Sequence, residues 1–156
     1  MSFASMLQGL ADEKIRFVVV GGVAASAHGS RRITDDLDIC YDTSSPNVRR
    51  LAALLSKWNA YPRGIEAGLP FFMDERQFRT TTLMTLATSE GPLDVLDRVA
   101  GVGDYSKCRN QSQPVTAFNI KLRVLTLPAL ISAKHAAGRP KDLDQLPELE
   151  ALLALK

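Results

Sequence analysis

An apolar run, Phe17–Val20, stops abruptly at Gly21-Gly22, and a second apolar run carries two aspartates, Asp36 and Asp38, one residue apart. Side chains of a strand alternate between faces, so Asp36 and Asp38 point one way while Leu37, Ile39 and Tyr41 point the other. Strands disfavour aspartate, and two like charges on one face repel. At about 4 Å and an effective dielectric near 20 that repulsion is on the order of 4 kcal/mol. A hard divalent cation held by oxygen is the simplest partner that offsets it. The plain alternative is a solvent-facing edge strand, where aspartates blunt aggregation.

The chain has 156 residues, enough for one domain with a real core. We expect a single domain over residues 1–156, with a core over about 15–126 and C-terminal helices over about 128–156. Cys40 and Cys108 are too few for a disulfide scaffold and lack metal-ligand spacing, so they read as reduced, partly buried thiols. No apolar run is long enough to span a bilayer. The N-terminal residues show no basic start followed by an apolar block, so the expected location is the cytoplasm, with no membrane partner. A net charge of +2 neither demands nor excludes nucleic acid.

Helical spacing is expected over residues 3–14 and a buried strand over 16–20. A short Ala-rich helix is expected over 22–27, and a strand opened by Thr34 or Asp35 follows. Ser45-Pro46 reads as a cap followed by proline at the first helical position, opening a helix through Trp58. The Gly- and Pro-containing segment 60–76 reads as irregular. Residues 78–88 and 92–99 have strand-like patterns separated by Gly91-Pro92. Two short strands, or one bent strand, are expected over 114–126. A helix opened by Pro128 ends at Gly138, and a last helix starts at Pro140. These elements predict an α/β domain on a mixed sheet with helices at both ends.

The chemistry-bearing candidates follow from this layout. Gly21-Gly22, between strand and helix, would let a phosphate approach backbone N–H groups; a tight turn needing positive φ is the bland reading. Asp94 lies mid-strand between Leu93 and Val95. If that strand neighbours the Asp36/Asp38 strand, three carboxylates converge, enough for two Mg²⁺ ions about 3.5–4 Å apart. One of the three could also take the proton of an attacking hydroxyl. Asp-x-Asp spacing alone does not choose between nucleotidyl transfer, sugar transfer and phosphatase chemistry. His28 serves equally as a packed side chain or a site residue; His135 reads as a surface residue and Trp58 as core.

The segment GGVAASAHGSRRITDDLD resembles the first motif of the DNA polymerase β-like nucleotidyltransferase superfamily. Its His-Gly, Arg and Thr ahead of the aspartates resemble the small prokaryotic branch that includes AbiEii-type toxins, as does the tail KHAAGRPKDLDQL. The resemblance covers residues 17–42, the Asp94 strand and 134–146. It implies a nucleotidyltransferase-like mixed β-sheet flanked by helices. Catalytic and metal-binding roles fall on Asp36, Asp38 and Asp94, with two Mg²⁺ ions as cofactor. Nucleotide binding falls on Gly21, Gly22, Arg32 and Lys134, and a partner role on Asp142. The implied substrate is a nucleoside triphosphate such as ATP. Implied acceptors are a tRNA 3′ end, a protein side chain or a small molecule, in a toxin–antitoxin setting with a cognate partner. The chain departs from the pattern in carrying Gly22 where many members have Ser, and Gln145 where a second tail aspartate falls, with Asp144 one position off. It is also short for a full toxin of that branch. A non-catalytic module of the same fold, binding RNA or a partner protein, is the rival reading.

Overall fold

The two apolar runs that flank Gly21-Gly22 become adjacent central strands, and everything else is arranged around them. In the computed structural model, which describes residues 3–65 and 71–156, β1 is Phe17–Val20 and β2 is Leu37–Tyr41. They pair antiparallel, with Val20 opposite Asp38. The other strands of this sheet are β3 (Tyr61–Pro62), β4 (Leu83–Ala87), β5 (Leu93–Leu96), β8 (Ser112–Ala117) and β9 (Ile120–Leu125). A separate two-stranded ribbon joins β6 (Arg98–Val99) to β7 (Gly103–Asp104). The main sheet runs in the order β3-β4-β5-β2-β1-β9-β8. Pairing is parallel at β2/β5 and β1/β9 and antiparallel elsewhere, so the sheet is mixed.

The helices are α1 (Phe3–Asp12), α2 (Gly21–Ala27), α3 (Ser45–Lys57), α4 (Glu75–Thr80), α5 (Tyr105–Asn110), α6 (Leu127–Ala137), α7 (Pro140–Leu143) and α8 (Leu146–Ala154). Strand alternation splits the sheet cleanly. Leu37, Ile39, Tyr41, Leu93 and Val95 are all buried. On that side Tyr41 meets Phe78 of α4 edge-on, with ring centroids 5.3 Å apart. Trp58, at the end of α3, lies so close over Gly9 of α1 that a methyl there would collide with its ring. Cys40, on the opposite side of β2, is buried against Cys108 of α5. Both thiols are free, as their number and spacing predict.

Several boundaries differ from the sequence reading for identifiable reasons. Ser44, not Ser45, is the N-cap of α3, and no side-chain cap bond forms. Phe78 falls in a helix rather than a strand. Asp74 caps that helix by accepting the Arg76 N–H at 2.9 Å, and the Thr-rich stretch turns extended only after Thr80. The segment 60–76 is not wholly irregular: Tyr61–Pro62 forms an edge strand, while residues 66–70 lie outside the described set. Residues 114–126 resolve into a hairpin whose turn, Phe118-Asn119, has positive φ at both positions, matching the twist of the flanking strands. The last helix breaks into α7 and α8 at Asp144-Gln145. No described helix is long and apolar enough to cross a membrane.

Candidate active site

The parallel pairing of β2 and β5 sets Asp38 and Asp94 side by side as register partners. Asp36, one residue before β2, points to the same side. All three line one open cavity of about 620 Å³, within the range of roughly 300–1,000 Å³ usual for ligand sites. Gly21, Gly22, Arg32 and Lys134 line the same cavity. The structure therefore brings together every residue singled out as catalytic, metal-binding or nucleotide-binding.

Gly21 sits directly behind the carboxylates. Its φ of +64° is a conformation that L side chains rarely adopt, and a Cβ there would collide with the Asp38 carboxylate. Gly22 is constrained differently. A Cβ on it would come within 2.8 Å of both Cβ and Oγ1 of Thr34. Thr34 is itself fixed by donating from Oγ1 to the Asp36 carbonyl at 3.2 Å. The absence of serine at position 22 thus has a local cause: Thr34 fills the space.

The charges are unequally satisfied. Arg63 donates from Nη2 to Asp94 Oδ1 at 2.6 Å and to Asp36 Oδ2 at 3.4 Å, and from Nη1 to the Leu86 carbonyl at 2.7 Å. Asp38 has no such partner. Burial, a hydrogen bond shared with Asp94 and the charges of Asp94 and Asp36 together push its pKa up to about 8, against a smaller opposing pull from Lys134. At neutral pH and without a cation, Asp38 therefore holds a proton. Among the described residues no three Asp, Glu, His or Cys side chains form a ready-made cation cage. The donor set is nonetheless the oxygen-only kind that suits Mg²⁺, and a divalent cation would favour the charged form of Asp38 that burial and its carboxylate neighbours disfavour.

The opposite wall comes from α6 and α7. Lys134 reaches Asp142 Oδ1 at 3.4 Å. Asp142 is 1% exposed and also takes the Arg139 backbone N–H at 3.2 Å and its guanidinium Nε at 2.6 Å. The Arg139 guanidinium, helped by Lys134, holds the Asp142 carboxyl below the usual range. Asp142 thus acts as a buried anchor that aims Lys134 toward Asp38, while Asp144 is exposed. Arg32 stands at the rim on a segment pinned from α8: Glu148 accepts from Ser30 Oγ at 2.6 Å and from the Arg31 N–H at 3.0 Å. His28 is buried and bonds the Leu125 carbonyl through Nε2 at 2.7 Å, which ties α2 to β9 and gives it a packing role. His135 is exposed and Trp58 is core. Arg63 is the residue that sequence reasoning missed; it lies in the segment read as irregular and carries no motif.

The sequence matches no family model and no curated protein. Solved structures with the same fold were found. One is a nucleotidyltransferase-class protein from Thermotoga maritima, at 16% identity, covering 95% of this chain and 94% of that one, with a TM-score of 0.57. Another is the lincosamide antibiotic adenylyltransferase LnuA in its lincomycin-bound form, at 13% identity, covering 95% and 94%, with a TM-score of 0.61. A third is ANT(2")-Ia in complex with adenylyl-2"-tobramycin, at 14% identity, covering 96% and 91%, with a TM-score of 0.56. This chain therefore has the nucleotidyltransferase fold: a mixed sheet flanked by helices, with helices at the C-terminus.

Proposed function

We propose that this protein is a Mg²⁺-dependent nucleotidyltransferase that moves a nucleoside monophosphate from a triphosphate to a hydroxyl acceptor, releasing pyrophosphate. The observation that carries the reading is the meeting of Asp36, Asp38 and Asp94 beside the Gly21-Gly22 turn, in one cavity whose far wall presents Lys134.

Asp36, Asp38 and Asp94 would hold the divalent cation, which when bound supplies charge neutralisation along the phosphates and at the attacking and leaving oxygens. The chain's own residues do the rest. Gly21 and Gly22 leave the cavity floor free of side chains, so a triphosphate can approach the backbone. Lys134, held at 19% side-chain exposure by Asp142, offers its ammonium to phosphate oxygens from the opposite side. Arg32 provides a second cation at the mouth. Asp94, on β5, is the candidate base for the acceptor hydroxyl. Transfer of this kind asks a protein mainly for positioning and electrostatics, and here β2, β5, α2 and α6 carry Asp38, Asp94, the two glycines and Lys134.

ATP is the first triphosphate to test. The acceptor classes, an RNA 3′ end, a protein side chain or a small molecule, and a toxin–antitoxin setting rest on the resemblance of residues 17–42 and 134–146 to the AbiEii-type branch. The lincosamide antibiotic adenylyltransferase LnuA and ANT(2")-Ia bound to adenylyl-2"-tobramycin, which share the fold, support a small-molecule hydroxyl as an acceptor worth testing. One observation favours the rival, a non-catalytic binding module: Arg63 already occupies the space between Asp36 and Asp94. Incubation with each labelled triphosphate, Mg²⁺ and total RNA or lysate separates the two. Label transfer that Asp36→Ala abolishes supports the enzyme, and triphosphate binding with no dependence on a divalent ion supports the module.

A further inference from the structure

Arg63 is held at three points: its backbone N–H and both terminal nitrogens of its guanidinium. Its backbone N–H donates to the Thr85 carbonyl at 2.9 Å, extending the β3/β4 pairing. Nη1 is committed to the Leu86 carbonyl, and Nη2 alone bridges Asp94 and Asp36. The guanidinium is partly shielded, with 28% of its side chain exposed, and Asp94 still more, at 18%. A guanidinium held this way is a hydrogen-bonded, permanently charged counter-ion for two of the three carboxylates.

A divalent ion arriving alone would meet two carboxylates that each already give one oxygen to Arg63, and would share them with that fixed positive charge. A divalent ion arriving with a triphosphate brings anionic oxygens to which the freed fork can turn. We propose that Arg63 is a tethered competitor for Asp36 and Asp94, which keeps bare divalent metal out of the site and yields when metal and triphosphate enter together. This rests on the nucleotidyltransferase reading above, and it makes Arg63 a positioning residue that sets the order of binding.

The test is calorimetric titration of Mn²⁺ into metal-free protein, wild type and Arg63→Gln, with and without a non-hydrolysable triphosphate. Gln keeps a polar amide and removes the charge. Arg63→Gln should bind Mn²⁺ alone about tenfold more tightly than wild type, and the gap should narrow once triphosphate is present. Damage to the fold would loosen binding instead. Equal or weaker Mn²⁺ binding by Arg63→Gln overturns the proposal while leaving the enzymatic reading intact. Absence of Mn²⁺ binding by either protein, even with triphosphate, overturns both. A second readout needs no variant: the Arg63 Nε–Hε resonance of ¹⁵N-labelled wild type should stay in place on adding Mg²⁺ alone and shift when the triphosphate is added. A full shift with Mg²⁺ alone overturns the proposal as well.

Discussion

Asp38→Asn isolates the strain stored in the carboxylate cluster. The wild-type carboxyl sits at a pKa of about 8 in the folded protein, against 3.8 for the unperturbed group, with burial as the largest cause. A folded-state pKa raised above the unfolded one gives stability that is fully present below the unfolded value and is lost as pH climbs through the folded value. Each pH unit in that window removes about 1.4 kcal/mol, so the interval from about pH 5 to about pH 8 removes up to about 4 kcal/mol. Because the cavity is open to water, about 2 kcal/mol is the figure to expect. Asparagine carries no titrating proton, so the variant lacks this loss. Urea unfolding in chelator-treated buffer should show the two proteins close to equal near pH 5 and Asp38→Asn more stable by about 2 kcal/mol near pH 8. Asp142 does not interfere, because its lowered pKa acts only as pH falls below its ordinary range. A stability difference that stays constant from pH 5 to pH 8 would refute the argument that Asp38 is crowded and protonated in the metal-free protein.

Other outcomes follow from the same geometry. Asp142→Ala should lower stability by about 3 kcal/mol, since it leaves Lys134 and Arg139 facing a buried gap, and thermal unfolding reads this directly. Wild-type stability should also fall in acid as Asp142 gains a proton, a loss that Asp142→Ala no longer shows. Gly22→Ala should cost about 1–2 kcal/mol by pressing on Thr34, and the cost should shrink in a Thr34→Gly background, giving a non-additive double-mutant cycle. Gly21→Ala should cost more than Gly22→Ala and abolish transfer, because it combines an unfavourable backbone conformation with a clash against Asp38; unfolding and label transfer measured together check both parts.

The facing of the site's carboxylates along their strands was legible because period-two alternation is a strong local signal. It set Asp36 and Asp38 on one face and Asp94 opposite Leu93 and Val95, and only the adjacency of β2 and β5 had to be supplied by the fold. The terminal signals were equally plain: Pro128 and Gly138 bound α6, and Gly138 adopts a φ of +65°. What stayed hidden depends on contacts between distant segments. Phe78 sits in a Thr-rich run whose local preference is extended, and its helix forms through the Asp74 cap and packing on Tyr41. The ribbon of β6 and β7 and helix α5 have no periodic pattern of their own. Arg63 is one arginine among many in a Gly- and Pro-containing stretch, and it meets Asp36 and Asp94 only because β3 pairs at the sheet edge beside β4. The roles of His28 and Asp142 likewise depend on Leu125 and Lys134, which come from other elements.

The central claim is that Asp36, Asp38 and Asp94 act as one metal-holding unit for nucleotidyl transfer. Its most direct test is a titration of metal-free protein with Mg²⁺ and a non-hydrolysable triphosphate, wild type against the Asp36→Ala, Asp38→Ala double variant, followed by calorimetry. Wild type should bind the triphosphate only when Mg²⁺ is present, and the double variant should lose that dependence together with the binding. Equal, Mg²⁺-dependent triphosphate binding by the double variant would contradict the account.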